Sequence, residues 1–247
     1  VPIALHHLGE VASTNDEALA LARSGAPDGT VVCARAQTHG RGRLGRDWHS
    51  PDVGNVYLSL VHRPTLPPAE LAGLTLDLAL AVARVLDHHG VTVGLKWPND
   101  LVLDDRKLAG ILTELHLDAA GGPALVIGLG LNLNAPAEAF SGPLAAAATS
   151  LRVATGRTYA IAPLEVALAR ALHDACLAFG SRGRPELPGY LARCVSIGRR
   201  VKVTPGDATG VVAGVAPDGA LLVRFDGRGG DPEPVRAGVV EHLPATS

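Results

Sequence analysis

Apolar and polar positions run along the chain in segments of two rhythms, a helical period of about 3.6 and a strand period of 2. Ser13-Thr14-Asn15-Asp16-Glu17 precedes Ala18, Leu19, Leu21 and Ala22. Hydroxyl side chains can take up free N–H groups and an acid three residues on can reach back, so a helix is expected to start here. Gly25 and Pro27 stop it. Residues 30–36 are β-branched and apolar, as in a buried strand. Residues 37–51 break every pattern and form a long loop of Gly, Arg and His, and 55–60 is the next strand. The longest helical stretch covers 68–89, apolar on most sides and ending at Gly90, the profile of a helix buried on more than one face. Strands then cluster at 93–97, 101–103, 108–115 and 124–131, with turns expected at 104–106 and 119–123. Strand after strand predicts an antiparallel or mixed sheet rather than alternating βαβ units. Helices are expected over 163–179 and 188–194. Beyond Arg199, short alternating segments at 201–204, 209–215 and 220–225 are punctuated by Asp207, Pro217-Asp218-Gly219 and 227–232, the signature of a small β-barrel. The change of character divides the chain into domains at 1–195 and 196–247.

Composition narrows the class. The 247 residues are 47% hydrophobic and 19% charged, which excludes a disordered chain, and aromatics at 3% leave a core of Leu, Val and Ala. A net charge of −2 argues against a nucleic-acid or membrane binder that uses its whole surface. No apolar run reaches about 18 residues without a charge or proline, and the start lacks a basic segment followed by an apolar core, so neither a membrane span nor a signal peptide is expected. Cys33, Cys176 and Cys194 sit at unrelated spacings without a metal pattern and read as reduced thiols of a cytoplasmic protein.

Four segments carry candidate chemistry. His39-Gly40-Arg41-Gly42-Arg43-Leu44-Gly45-Arg46-Asp47-Trp48 contains a literal G-x-G-x-x-G. No helix opens at that motif, and no acid follows about 20 residues on to hold a ribose, so the dinucleotide reading fails. Three guanidiniums on a glycine backbone remain: a clamp for phosphate or carboxylate, an RNA-binding GXXG like that of KH domains, or a solvated basic loop. Lys96-Trp97-Pro98-Asn99-Asp100 gathers a cation, an amide and a carboxylate around an aromatic; Trp97 either covers a flat ligand or is a buried strand-end residue. In Arg106-Lys107-Leu108-Ala109-Gly110-Ile111-Leu112-Thr113-Glu114, Ala109 and Gly110 leave backbone against which a ligand can lie, with Lys107 at its mouth or merely in a turn. In Gly128-Leu129-Gly130-Leu131-Asn132-Leu133-Asn134, Asn132 and Asn134 either read a base edge or end a strand.

The joint order of Ser13-Thr14-Asn15, Gln37, the glycine-arginine loop with Trp48, the KWPND motif, the RKLAGIL-E motif and GLGLNLN closely resembles the biotin protein ligases over about residues 10–135. The resemblance implies an α+β fold, a mixed, largely antiparallel sheet flanked by helices (the class II synthetase-like biotin/lipoate ligase fold), with a small C-terminal SH3-like β-barrel. It implies activation of biotin by MgATP to biotinyl-5′-AMP, then transfer to a lysine of a biotin carboxyl carrier protein domain, as of acetyl-CoA carboxylase. Carried over by motif, Ser13, Thr14, Asn15, Gln37, Gly40, Arg41, Lys107 and Gly110 would bind biotin. Arg43, Arg46, Trp48 and Asn132 would bind ATP or the adenylate, and Arg43, Lys107 and Asp100 would be catalytic. The metal ligands are unassigned, and a monomer and a homodimer are both compatible. Only 12 residues precede Ser13, so a monofunctional form without a DNA-binding domain or repressor activity is expected. His39 departs from the small residue common at that position. Three rivals stay open: a lipoate or octanoate ligase, a nucleic-acid binder, and a non-catalytic biotin sensor.

Overall fold

A computed structural model describes residues 3–117 and 122–243. Seven strands form the main sheet: β1 (Ala4–Val11), β2 (Thr30–Gln37), β3 (Val56–His62), β4 (Gly94–Lys96), β5 (Asp100–Leu103), β6 (Arg106–Leu117) and β7 (Pro123–Leu131). Their order is β1-β2-β3-β7-β6-β5-β4. Among the pairs these described strands make with one another, β1–β2 is parallel and the others are antiparallel. The sheet is therefore mixed and largely antiparallel, as expected.

Alternation along the strands supplies both faces. Val31, Cys33, Leu58 and Leu60 point into the large core shared with α2 (Leu74–Asp87) and, after the short helices α3 (Leu144–Ala147) and α4 (Leu151–Thr155), with α5 (Ile161–Arg182). Val32, Val61 and Val126 meet Ala18 and Ala22 of α1 (Thr14–Arg23) on the other face. Asp28 accepts from His62 and His173 at 2.8 Å each and ties β3 to α5.

Several expectations change at element ends. The helix expected at 68–89 is divided, with a 3₁₀ turn at Pro68–Glu70 and the α-helix proper beginning after Gly73, whose φ of 83° interrupts it. The helix expected at 188–194 stops early as α6 (Leu187–Leu191), because the chain that follows pairs with β4: Leu95 N–H donates to Arg193 O and Val195 N–H to Leu95 O. Strand β1 and helices α3 and α4 have no counterpart in the sequence reading. The turn at 104–106 is a two-residue connection with Asp104 and Asp105 both left-handed (φ 51° and 58°). The turn expected at 119–123 lies outside the described residues up to position 121.

The C-terminal strands β8 (Arg200–Thr204), β9 (Ala208–Val215), β10 (Leu221–Phe225), β11 (Glu233–Val235) and β12 (Val239–His242) form a second sheet in the order β11-β10-β9-β8-β12. The expected barrel is not closed, since β11 and β12 are the two edges. β11 has three residues, one of them Pro234, which has no N–H to donate to a further strand. The carbonyl of Gly238, just before β12, is taken by Arg43 of the main sheet's long loop. Trp97 joins the two sheets, its backbone N–H donating to Ser196 Oγ (3.1 Å) and its indole N–H to Gly219 O (2.9 Å). One apolar cluster runs from Leu95 and Trp97 into Val201, Val212 and Leu221.

His242 lies in this junction with its ring against Ser196 Oγ at 3.1 Å. Burial, helped by Lys96 and Arg199 and opposed by Asp105, pushes its pKa from 6.5 down to about 4. The native ring thus stays neutral while the unfolded chain takes up a proton, so stability present above pH 6.5 is lost as pH falls toward 4. With solvent screening the loss is about 1–2 kcal/mol. Urea denaturation at the two ends of that range should show it, and His242→Gln should flatten the dependence.

Candidate active site

The site is built where strand side chains are missing. Gly110 of β6 pairs with Gly130 of β7, and Leu112 with Gly128, which leaves a bare strip of backbone. A methyl group at Gly130 would overlap the indole of Trp48, and one at Gly128 would overlap the side-chain amide of Asn15. Close approach is what these positions require. The long loop brings Trp48 back over the strip because it is itself folded: Arg41 bridges Asp47, Gly42 N–H donates to Arg46 O (2.6 Å) and Trp48 N–H to Gly40 O (2.8 Å). At its tip Leu44 takes a left-handed conformation (φ 57°) and is exposed.

A cavity of about 180 Å³ lies beside the indole. Ser13, Thr14 and Asn15 wall one side and are almost wholly buried. The expected side-chain cap does not form: Ser13 is the N-cap residue of α1, yet its hydroxyl makes no capping bond. Gln37 does that work from outside the helix. Its Oε1 accepts from the Thr14 N–H (2.8 Å) and hydroxyl (3.1 Å), and its Nε2 donates to Ser50 Oγ (2.8 Å). Asp16, free of the capping role, pairs with Arg41 at 2.7 Å. Arg41 and Asn15 both donate to Glu114 Oε2, at 3.0 and 2.7 Å. Ser59 Oγ lies 2.8 Å from Thr14 Oγ1 and 2.6 Å from Asn15 Oδ1. Buried polar groups so connected hold one arrangement and lend atoms to a polar ligand.

Cations line the other side. Lys107 Nζ is 2.7 Å from Asp100 Oδ1 and 5.1 Å from the centre of the Trp48 ring. Lys96 is half-buried beside them; burial lowers its pKa, opposed by Asp100 and reinforced by Lys107. Arg43 donates to Asn99 Oδ1 and to Gly238 O, each at 3.2 Å. Burial lowers its pKa too, with Asp100 opposing and Arg46 adding, but a guanidinium keeps its charge. Arg46 is exposed at the rim. Of the three loop arginines Arg41 is already neutralised by two carboxylates, so Arg43 and Arg46 carry the available charge.

A second cavity, about 190 Å³ and mostly apolar, includes Asn55, Asn132, Ala135, Phe140, Leu144 and Ala148 in its wall. It shares Asp47, Trp48 and Lys107 with the first. Asn132 Nδ2 donates to Thr149 O (3.0 Å). Asn134 does not join it: both ends of its amide are bonded to the backbone of Tyr159, so it is a strand-end brace. Trp97 is likewise a buried strand-end residue with its indole N–H committed to Gly219 O, and it contributes to the wall of the first cavity.

The structure thus gathers Ser13, Thr14, Asn15, Gln37, Arg41, Arg43, Arg46, Trp48, Asp100, Lys107 and Gly110 around the first cavity and Asn132 at the second. Gly40 lines neither; it is buried beneath the loop, where a side chain would strike Trp48 O and Ser50 Oγ. Lys96, Asn99 and Glu114 belong to the site as well, and each stands inside a motif visible in the sequence. Ser59 and Gly238 carry no sequence signal and enter through tertiary contact.

Residues 8–134 match the biotin/lipoate A/B protein ligase family. The chain is 36% identical over 245 residues to the biotin--[acetyl-CoA-carboxylase] ligase of Mycobacterium tuberculosis, covering 96% of this chain and 88% of that one. It is 39% identical over 147 residues to the bifunctional ligase/repressor BirA of Bacillus spizizenii, covering 59% of this chain and only 45% of that relative's length. The fold superposes on a biotin protein ligase from Aquifex aeolicus in complex with biotin and ATP with a TM-score of 0.81 at 26% identity, over 97% of this chain and 99% of that one.

Gly128→Ala tests the bare strip. The added methyl displaces the buried Asn15 amide from Ser59 and Glu114. The expected cost is about 1–3 kcal/mol in denaturant unfolding, and an unchanged midpoint would show that the strip tolerates bulk.

Proposed function

The chain belongs to the biotin/lipoate A/B protein ligase family, and from that premise we propose that it activates biotin with ATP and passes the biotinyl group to a lysine of a biotin carboxyl carrier domain. The observation that carries this reading is the pair of cavities meeting at Trp48 and Lys107. One is walled by buried hydrogen-bonding side chains and the other is an apolar slot for a flat ring. A carboxylate from the first and an α-phosphate from the second would meet at the Lys107 ammonium.

The polar wall favours biotin over lipoate. The buried Ser13, Thr14 and Asn15 and the half-buried Gln37 present donors and acceptors that suit a ureido ring. A dithiolane could use none of the further hydrogen bonds these groups can make, and sites built to hydrogen-bond a substrate reject analogues that cannot.

In the first step a biotin carboxylate oxygen attacks the α-phosphorus, and the bond to the bridging oxygen breaks as pyrophosphate leaves. Two anions must approach each other. Lys107, turning from Asp100 to the ligand, and Arg43 offset that repulsion and the charge that grows on the phosphorus oxygens. Asn99 and Gly238 aim the Arg43 guanidinium. Mg²⁺ on the leaving pyrophosphate would lower its charge. Two carboxylates line the cavity, Asp100, engaged by Lys107, and the exposed Asp47, and these would hold the ion together with phosphate oxygens. The mixed anhydride must be kept from water, which suits the folded loop carrying Trp48. In the second step the acceptor amine attacks the carbonyl carbon and AMP leaves. Asp100, released from Lys107, would take the ammonium proton.

We read residues 1–195 as the catalytic unit and 196–247 as an appended unit whose strands β8–β12 brace it through Trp97 and Arg43. No helix is long and apolar enough to cross a membrane among the described residues. Three free cysteines suit a reducing cytoplasm.

Pyrophosphate exchange into ATP, measured with biotin, with lipoate and with neither, decides the reading. Exchange with biotin alone is expected; exchange with lipoate alone moves the substrate, and none with either removes the enzymatic reading. Lys107→Ala should slow exchange by about 10²–10³-fold while changing stability by less than about 1 kcal/mol, as befits a partly exposed ion pair. Arg43→Gly should let biotinyl-5′-AMP leak into solution, measured by filtration of the labelled intermediate.

A further inference from the structure

Outside both cavities, three side chains of different chemistry converge between the edge of the sheet and α5. His7 of β1 and Cys33 of β2 are register partners on parallel strands, so their side chains leave the sheet on the same face. Glu165, near the start of α5, comes down onto them. The thiol of Cys33 and the carboxylate of Glu165 are buried, whereas His7 is more than half exposed and opens the group to solvent. One ligand-type atom from each lies within 4.8 Å of the others.

This cluster is poorly balanced as it stands. Glu165 Oε2 is 3.1 Å from His7 Nε2. One partly exposed imidazole is a thin partner for a carboxylate taken out of water. The Cys33 thiol, buried beside that carboxylate, adds a further donor atom to the group. A second group, Asp28 with His62 and His173, lacks this defect, because Asp28 also accepts the Arg63 backbone N–H at 2.9 Å and its three bonds satisfy it.

We propose that His7, Cys33 and Glu165 bind one zinc-class divalent ion, with water in the fourth position. A thiolate and a carboxylate neutralise the two charges of the ion, and imidazole nitrogen completes a donor set that suits Zn²⁺. Bonds of about 2.0–2.3 Å in a tetrahedron hold ligand atoms about 3.5 Å apart, so the present separations close by side-chain rotation. On binding, the Cys33 S–H proton passes to solvent and the sulfur's electron pair goes to the metal; nothing is oxidised or reduced. The ion would pin the mostly exposed edge strand β1 to α5.

The test uses the full chain, free of any affinity tag and stripped by chelator, titrated with Co²⁺ and then Zn²⁺. One Co²⁺ per chain is expected, with the visible bands of a tetrahedral ion and a near-ultraviolet thiolate-to-cobalt band, both lost when Zn²⁺ displaces it. Zn²⁺ should raise the unfolding temperature. Cys33→Ser should abolish the thiolate band, and His7→Ala, which removes a mostly exposed side chain, should weaken binding by about 10–100-fold. Asp28→Asn should leave the band unchanged. The proposal is overturned if no Co²⁺ is retained, if it binds without a thiolate band, if the band survives Cys33→Ser, or if His7→Ala binds as tightly as the unaltered chain.

Discussion

Close approach to backbone is the constraint on which the rest depends. Gly110, Gly128 and Gly130 leave three positions of the paired strands β6 and β7 without side chains. An indole and a buried amide lie on the sheet there instead of standing off it. The long loop can fold back only because its tryptophan has that floor to rest on. Helix α1 can bury Asn15 only because Gly128 makes room for it.

Polar groups brought so close to a sheet must be satisfied, since an unpaired buried donor or acceptor costs about 1–3 kcal/mol. The site meets that demand with shared partners. Gln37 serves Thr14 and Ser50, Ser59 lies between Thr14 and Asn15, and Glu114 receives Asn15 and Arg41. These bonds join β2, β3, β6, α1 and the loop, so a disturbance at one is felt by all. The cationic side is built differently. Lys107 and Arg43 rest on partners they can release, a carboxylate and an amide, and remain available to anions. Rigid recognition and exchangeable charge thus sit on opposite sides of one cavity.

The C-terminal sheet is part of the same arrangement. It receives the indole N–H of Trp97 and lends the Gly238 carbonyl to Arg43, so it fixes the KWPND turn and a guanidinium of the site together. That second contact falls between β11 and β12, where closure of a barrel would occur. The open sheet and the braced arginine are two results of one geometry.

Much of this was legible in the residues themselves. Period and punctuation locate α1, β2, β3, α2, the β4–β7 cluster, α5 and β8–β10, because those segments carry their burial pattern locally. The glycine-arginine loop, KWPND and RKLAGIL-E mark most of the site, because close approach and anion binding each demand particular residue types. Strand β1 escaped because an edge strand with most side chains in water has no apolar alternation to read. The end of α6 was misplaced because the chain after it pairs with β4. Which tryptophan lies on the glycine strip, which asparagine is a brace and which arginine is already neutralised are properties of neighbours distant in sequence. So is the meeting of His7, Cys33 and Glu165, three residues whose spacing follows no metal-binding motif. The chain's own pattern decided the elements and the kinds of chemistry they carry; only packing decided which polar groups are spent on one another and which stay free to act, because hydrogen-bond and charge partners are assigned by distance in space.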